Sequence, residues 1–499
     1  SVEDVVSKED YLHIKRILTT GCPSKLKFDE SQENKLKMIQ RGNQKSLLDH
    51  PEVGEKVINK EDRYSHIIIF HDYICTLGPH LRHNSQGLVD LKRLVWDGST
   101  KRSPTDMVMN DHTPTDDEAD IDFGTAKYDF YWLIYNLRVS HPQASILLAL
   151  ADIKACFRFP RIHPDLTGAF GFLINNLYCL AVAMVFGSNT SSSCWEPFRR
   201  AIEGLTKKIA NRPDLVVKHK YYIDMIKWDL PKHNAVKPVL AKKCKLNPGV
   251  LDSSGANINH PTRIWVDDAL IAAVDLTAMK MALAAVIEAI FVVMGQPDLT
   301  LRQCPLAMDK WKKLVVAEKQ LALGLILKTR EMVVSMTDDY LASTLTLIKT
   351  SWPKCKKRFS ALEASKMVGK LARLTEGAPW ARYLLSQLYT SIAFALAQNK
   401  LTLEKSSSEF KRLAKTISSK NFSPSEKGNK EHQSIVRFAL KKAAKMMHNS
   451  PIQYNIIVSM REELEFFKKT LEPTSGVIWE APLAYLIKKT PFATVYGLS

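Results

Sequence analysis

Cysteine is sparse and unpatterned. Eight Cys are scattered from Cys22 to Cys355, and none stands in a Cys-x-x-Cys pair. That spacing excludes a zinc knuckle and a disulfide framework and fits a reducing compartment, so an intracellular location, cytoplasmic or nuclear, is expected. Uncharged apolar runs of membrane-spanning length are also missing. The longest helical candidate, Leu276 to Met294, carries Lys280 and Glu288, and no membrane partner is expected. No signal peptide is recognisable and the chain opens on Ser1, so it is expected to be a piece cut from a longer polyprotein. Negative charge is the third shortage: 52 Asp+Glu face 70 Lys+Arg, a formal net charge of +18. Such a surplus fits a polyanionic partner, because each phosphate neutralised by Lys or Arg releases counterions. A basic soluble protein without that partner has the same composition, so charge alone does not decide. At 499 residues and 45% hydrophobic content, several subdomains are expected.

What is present is a set of acids at the ends of apolar runs. The segment Arg263-Ile-Trp-Val-Asp-Asp-Ala-Leu-Ile-Ala-Ala-Val274 places Asp267 and Asp268 between two short apolar stretches, the pattern of a β-hairpin with paired carboxylates at its tip. Adjacent acids on a rigid turn repel unless a divalent cation neutralises them, although a solvated Asp-Asp turn reads the same in isolation. Asp152 adds a third acid: it follows Ile146-Leu-Leu-Ala-Leu-Ala151 at the end of a buried strand, with Phe157 five residues on. One aspartate leaving a strand and two on a hairpin form a ligand set for two-metal phosphoryl transfer.

In this order the motifs resemble those of reverse transcriptases from retrotransposons of the long-terminal-repeat or DIRS-like kind. Asp152-Ile-Lys-Ala-Cys-Phe-Arg-Phe-Pro-Arg-Ile-His-Pro164 is similar to the family's first catalytic motif, and Phe186-Gly-Ser-Asn-Thr-Ser-Ser192 to the second. Trp265-Val-Asp-Asp268 resembles the aromatic-x-Asp-Asp box, and Leu323-Gly-Leu-Ile-Leu327 the primer-grip turn. The resemblance covers about Leu91 to Leu396. It implies an α+β fold of the right-hand polymerase kind, with fingers, palm and thumb and an antiparallel palm sheet backed by helices. It implies RNA-directed DNA synthesis with Mg²⁺, or Mn²⁺, held by Asp152, Asp267 and Asp268. Its implied partners are an RNA or DNA template–primer and deoxynucleoside triphosphates. Phe157 would be the steric gate against a ribose 2′-oxygen. Lys92, Arg93, Phe186 and Gly187 would line the nucleotide site, and Leu323 with Gly324 the primer grip. Three residues depart from the pattern: Cys156 for the usual Ala, Ser192 for Pro, and Trp265 for Tyr. One of Lys310, Lys312 and Lys313 would assist pyrophosphate departure, and the resemblance does not choose among them. A nucleic-acid-binding relative that has lost catalysis is the alternative function.

The expected organisation has an N-terminal extension at 1–90, polymerase subdomains at 91–400 and a basic helical connection at 401–499, with any ribonuclease H truncated or absent. Palm motifs fall at about 146–328 and the thumb at about 340–400. Leu91 to Asp97 predicts a fingers strand, and the acidic 106–122 stretch a solvated loop rather than a second metal site. Phe170 to Ile174 and Tyr178 to Met184 predict two palm strands around an Asn175-Asn176 turn. Trp195, Phe198, Ile202 and Leu205 recur at helical spacing, which assigns them to packing. Residues 207–262 read as an insertion that either touches the duplex or is a solvated loop. Leu276, Met279, Leu283, Val286, Ile287, Ile290 and Met294 form a helical stripe ended by Gly295. Ser360 with Glu363 gives a capping box at the start of the thumb, Gly377-Ala-Pro379 breaks its helices, and the basic Lys354 to Arg358 run precedes it.

Overall fold

The computed structural model describes residues 1–22, 49, 51–63, 65–70, 78–83, 89–97, 110, 119–121, 123–174, 177–230, 262–298, 303–397 and 453–487. The chain is a mixture of helices and sheets, as an α+β reading requires, and divides into two compact units, Ser1–Gln320 and Leu321–Lys489.

The first unit carries helices α1 (Lys8–Thr20), α2 (Pro51–Arg63), α3 (Phe123–Ser140), α4 (Ser191–Ile209) and α5 (Leu276–Met294). Its strands are β1 (Ile67–Phe70), β2 (Gly78–His83), β3 (Val89–Asp97), β4 (Leu147–Asp152), β5 (Gly171–Ile174), β6 (Leu177–Ala181), β7 (Lys227–Asp229), β8 (Thr262–Trp265), β9 (Asp268–Ala273) and β10 (Val315–Ala317). The central sheet runs β7-β10-β4-β9-β8. β4, β9 and β8 are antiparallel neighbours, and β10 lies antiparallel to β4. The edge strand β7 pairs parallel to β10, so the sheet is not wholly antiparallel. β7 also shows that the first part of the 207–262 segment is not a loose loop: it builds a sheet edge. Lys242, Lys243 and Lys245, a basic cluster later in the same segment, lie outside the described residues.

The two strands expected on either side of Asn175-Asn176 are present as the antiparallel pair β5–β6, which joins β1 in a three-stranded sheet separate from the central one. The apolar Ile67 to Phe70 run, which has no motif value in the sequence, is therefore a sheet partner. β2 and β3 form a two-stranded ribbon that carries Lys92 and Arg93 on β3.

Helices α4 and α5 pack on each other and on the central sheet, and α3 packs on β8 and β9. Asp275 caps α5 by accepting from the Ala278 amide at 2.7 Å, and Gly295 ends it at φ 94. By length and composition alone α5 could cross a membrane, contrary to the expectation drawn from Lys280 and Glu288. Its burial is wider than one stripe, because Ala282, Ala284, Ala285 and Ala289 are covered along with Met279, Leu283, Val286, Ile287 and Ile290. Both charges have partners: Lys280 lies over the Trp228 ring, and Glu288 pairs with Lys218 and His219, each at 2.7 Å. Each buried aliphatic side chain contributes about 1.5–3 kcal/mol, and α5 buries these against α4 and β9.

In the second unit β11 (Lys319–Ala322), through which the division runs, is followed by β12 (Leu325–Lys328), β13 (Val333–Met336), β14 (Arg358–Ser360), β15 (Gln453–Asn455) and β16 (Glu480–Pro482). Its helices are α6 (Asp338–Ser351), α7 (Ala361–Gly377), α8 (Arg382–Ala397) and α9 (Val458–Leu471). The capping box of Ser360 and Glu363 is formed, with both reciprocal hydrogen bonds. α7 ends at Gly377, and a short turn of helix from Pro379 separates it from α8. Residues 453–487 pack as part of this unit: β15 pairs with β14, β16 with β13, and α9 lies against α6 and α8.

Candidate active site

The β8–β9 hairpin turns through two residues, Val266 and Asp267, and its register puts Asp268 opposite Trp265 on one side and opposite Asp152 on the other. Neighbouring strands lie about 5 Å apart, so the ends of β4 and β9 deliver the three aspartates to one end of the sheet. The Ile153 amide donates to the Asp267 carbonyl at 2.8 Å, tying the first motif to the turn. Val266 has φ 57, a left-handed conformation that a β-branched residue adopts only when its surroundings impose it.

The electrostatics are those of crowded carboxylates. Burial first, then the charges of Asp267 and Asp152, push the Asp268 carboxyl up to about 6, against the pull of Lys310. The Lys310 ammonium is hydrogen-bonded to Asp152 Oδ1, which brings Lys310, of the three lysines, against the aspartates. It arrives there because 303–311 runs beside the first motif: Lys154 N donates to the Pro305 carbonyl at 2.8 Å, and Ala307 N to the Asp152 carbonyl at 3.3 Å. Hard carboxylate oxygens with surplus negative charge suit Mg²⁺ or Mn²⁺ in donor type. Among the described residues no group of three His, Cys, Asp or Glu side chains, the three aspartates included, stands in an arrangement that could hold a metal ion. Asp152 and Asp267 are the residues that would hold such a cation, and Asp152 would exchange its Lys310 partner for it.

Phe157 lies beyond Ala155, whose φ of 53 turns the chain out of the strand end. Its half-buried ring meets Phe186 edge-on, with centroids 5.5 Å apart. Cys156 is buried, and burial, then the charge of Asp267, raises its thiol well above the ordinary range, so it behaves as packing rather than as a nucleophile. Phe186 is 41% exposed, and Gly187 stands at φ 109, which a side chain would strain. Asn110 fastens this second-motif loop, donating to the Gly187 carbonyl at 2.8 Å and accepting from the Asn189 amide at 3.0 Å. The side chains of Lys92 and Arg93 lie outside the described residues.

Three connections to this site leave no local mark in the sequence. Trp195 and Phe198 are buried, as their spacing predicts, but the Trp195 indole also donates to the Val266 carbonyl at 2.7 Å. Buried Arg199 donates to the Ile264 carbonyl at 3.2 Å, and Glu203 accepts from the Ile264 amide at 3.0 Å, so α4 side chains satisfy the outer edge of β8. Arg158 is 2% exposed; it donates to the Ala183 and Met184 carbonyls and pairs with Glu61 of α2.

In the second unit Leu323 and Gly324 form the two-residue β11–β12 turn, at φ 50 and 75, with Arg373 donating to the Leu323 carbonyl. Both φ values are positive, as a I′ hairpin turn requires. Of the basic run, Lys356 is committed to Glu363 and the Trp352 ring, while Lys357 and Arg358 are exposed.

No protein-family model and no curated protein matches this chain. Among solved structures it is similar to a foamy viral protease–reverse transcriptase dRH in complex with double-stranded DNA, at 10% identity and TM-score 0.41, over 94% of this chain and 59% of that one. It is also similar to a foamy viral protease–reverse transcriptase in complex with an RNA/DNA hybrid, at 10% identity and TM-score 0.39, over 89% and 45%. The chain thus spans less than two thirds of either protein.

Proposed function

We propose that the chain is a template-directed nucleotidyltransferase, the RNA-directed DNA polymerase of a retroelement, with fingers and palm in the first unit and thumb and connection in the second. The observation that carries this reading is the delivery of Asp152, Asp267 and Asp268 to one sheet end, with Lys310 on Asp152. Mg²⁺ or Mn²⁺ held by Asp152 and Asp267 would supply the charge that activates a primer 3′-hydroxyl and stabilises leaving pyrophosphate. Asp268 orients the pair as an auxiliary acid. Lys310 gives a proton to the departing pyrophosphate in this reading, and most of the remaining barrier is positioning. Phe157, braced by Phe186, occupies the space of a ribose 2′-oxygen and selects deoxynucleotides. Phe186 and Gly187 form the wall beside the nucleotide; Lys92 and Arg93 are assigned to its phosphates and Leu323 with Gly324 to the primer, as in the resembled family. Asp152→Asn and Asp267→Asn should each abolish primer extension while duplex affinity stays within about twofold of wild type, because neither substitution removes a phosphate contact. A second reading, nucleic-acid binding without catalysis, is favoured by the ammonium already seated on Asp152. Wild type that binds duplex but never extends it would select that reading.

A further inference from the structure

The peptide joining Val266 to Asp267 is the centre of the hairpin turn. φ is positive at Val266 and not at Asp267, the sign pattern of a II′ turn, whose first central place ordinarily takes Gly. II′ and I′ turns differ in which way this central peptide faces, so a group that grips the Val266 carbonyl chooses between them. Trp195 grips it, at 2.7 Å. The next carbonyl, that of Asp267, accepts from Ile153 at 2.8 Å. Both peptides that flank the Asp267 Cα–Cβ bond are therefore fixed, one by the neighbour of Asp152 and one by α4.

The indole is held as firmly as the turn. Trp195 is fully buried, stacked on Phe198 at 6.2 Å and edge-on to Phe159 at 6.5 Å. An indole N–H is a donor only, and leaving a buried donor unpaired is costly, so ring and turn fix each other. Phe159 lies two residues past Phe157, which makes the same ring a link between the first motif and the Asp-Asp turn.

We infer that Trp195 is a positioning residue: its indole N–H sets the central peptide of the Val266–Asp267 turn and so the direction in which Asp267 presents its carboxylate to a divalent cation. The inference rests on the proposed polymerase reading for its kinetic readout and on metal binding for an independent one.

The test compares wild type, Trp195→Phe, and the same chain with 3-benzothienylalanine at position 195, where sulfur replaces the N–H and the ring outline is kept. Mn²⁺ binding is followed by electron paramagnetic resonance, with Asp267→Asn as the control, and single-nucleotide extension is titrated with Mg²⁺. Both variants should bind template–primer within about twofold of wild type yet need about five- to tenfold more metal at each midpoint, the scale of one lost hydrogen bond. Unchanged metal midpoints in the folded benzothienyl protein would overturn the inference, and that protein decides if Trp195→Phe does not fold. Wild type with Asp267-dependent Mn²⁺ binding but no extension would overturn the polymerase reading, and the Mn²⁺ midpoints would then judge Trp195 alone. Wild type without Asp267-dependent Mn²⁺ binding would overturn both.

Discussion

Phe157 is the residue whose chemistry is easiest to isolate, because its ring is half-buried and braced by an exposed neighbour, Phe186, rather than locked in the core. Shortening it to Val should raise the efficiency of ribonucleotide incorporation relative to deoxynucleotide. The stability cost should be on the order of 1–3 kcal/mol, less than for a central core aromatic. The ratio of the two efficiencies in folded wild type and variant is the measurement. An unchanged ratio would return Phe157 to simple packing. The three aspartates are legible in the sequence because they stand at the ends of apolar runs, and Phe157 only through the resemblance of the segment that follows Asp152 to a known motif. Lys310 is not: three lysines share its neighbourhood, and only the backbone ladder from Lys154 to Pro305 and Asp152 to Ala307 brings one of them onto Asp152.

At the scale of elements, local signals are faithful and long-range partners are hidden. The capping box at Ser360, the hairpin around Asp267 and the α5 span are all set by neighbours within a few residues, and all three appear where the pattern puts them. β7, β15 and β16 are only three residues long and find partners far along the chain, so no periodicity could announce them. The same holds for α2, whose Glu61 meets Arg158 across 97 positions. Burial opposes the charge of Glu61, but Arg158, with His66, wins and holds the carboxyl at about 2, below an ordinary value of 4.5. A depressed folded pKa stabilises above the unfolded value, and that stability is lost as pH falls from about 4.5 through about 2. Glu61→Gln should therefore cost on the order of 3 kcal/mol at pH 7 and flatten the acid limb of the stability curve. Urea unfolding from pH 7 to pH 2 reads both effects. Parallel wild-type and variant curves across that limb would show that the ion pair contributes nothing.

For the whole molecule the relevant quantity is the +18 surplus. Binding to template–primer should weaken steeply as salt rises, with little dependence on base sequence, since cations released from phosphates drive it. Affinity unchanged between 50 and 200 mM salt, about the range over which phosphate-driven binding falls by orders of magnitude, would argue against a phosphate-tracking surface. Charge, however, identifies a partner class and not a reaction. The central claim is that Asp152, Asp267 and Asp268 perform nucleotidyl transfer, and the most direct measurement is extension of a DNA primer on an RNA template by the purified chain with Mg²⁺ and deoxynucleoside triphosphates. The account predicts templated extension by wild type that disappears in Asp267→Asn while the primer–template complex still forms. Extension that persists in Asp267→Asn, or wild type that binds the duplex and adds no nucleotide with either Mg²⁺ or Mn²⁺, would contradict it.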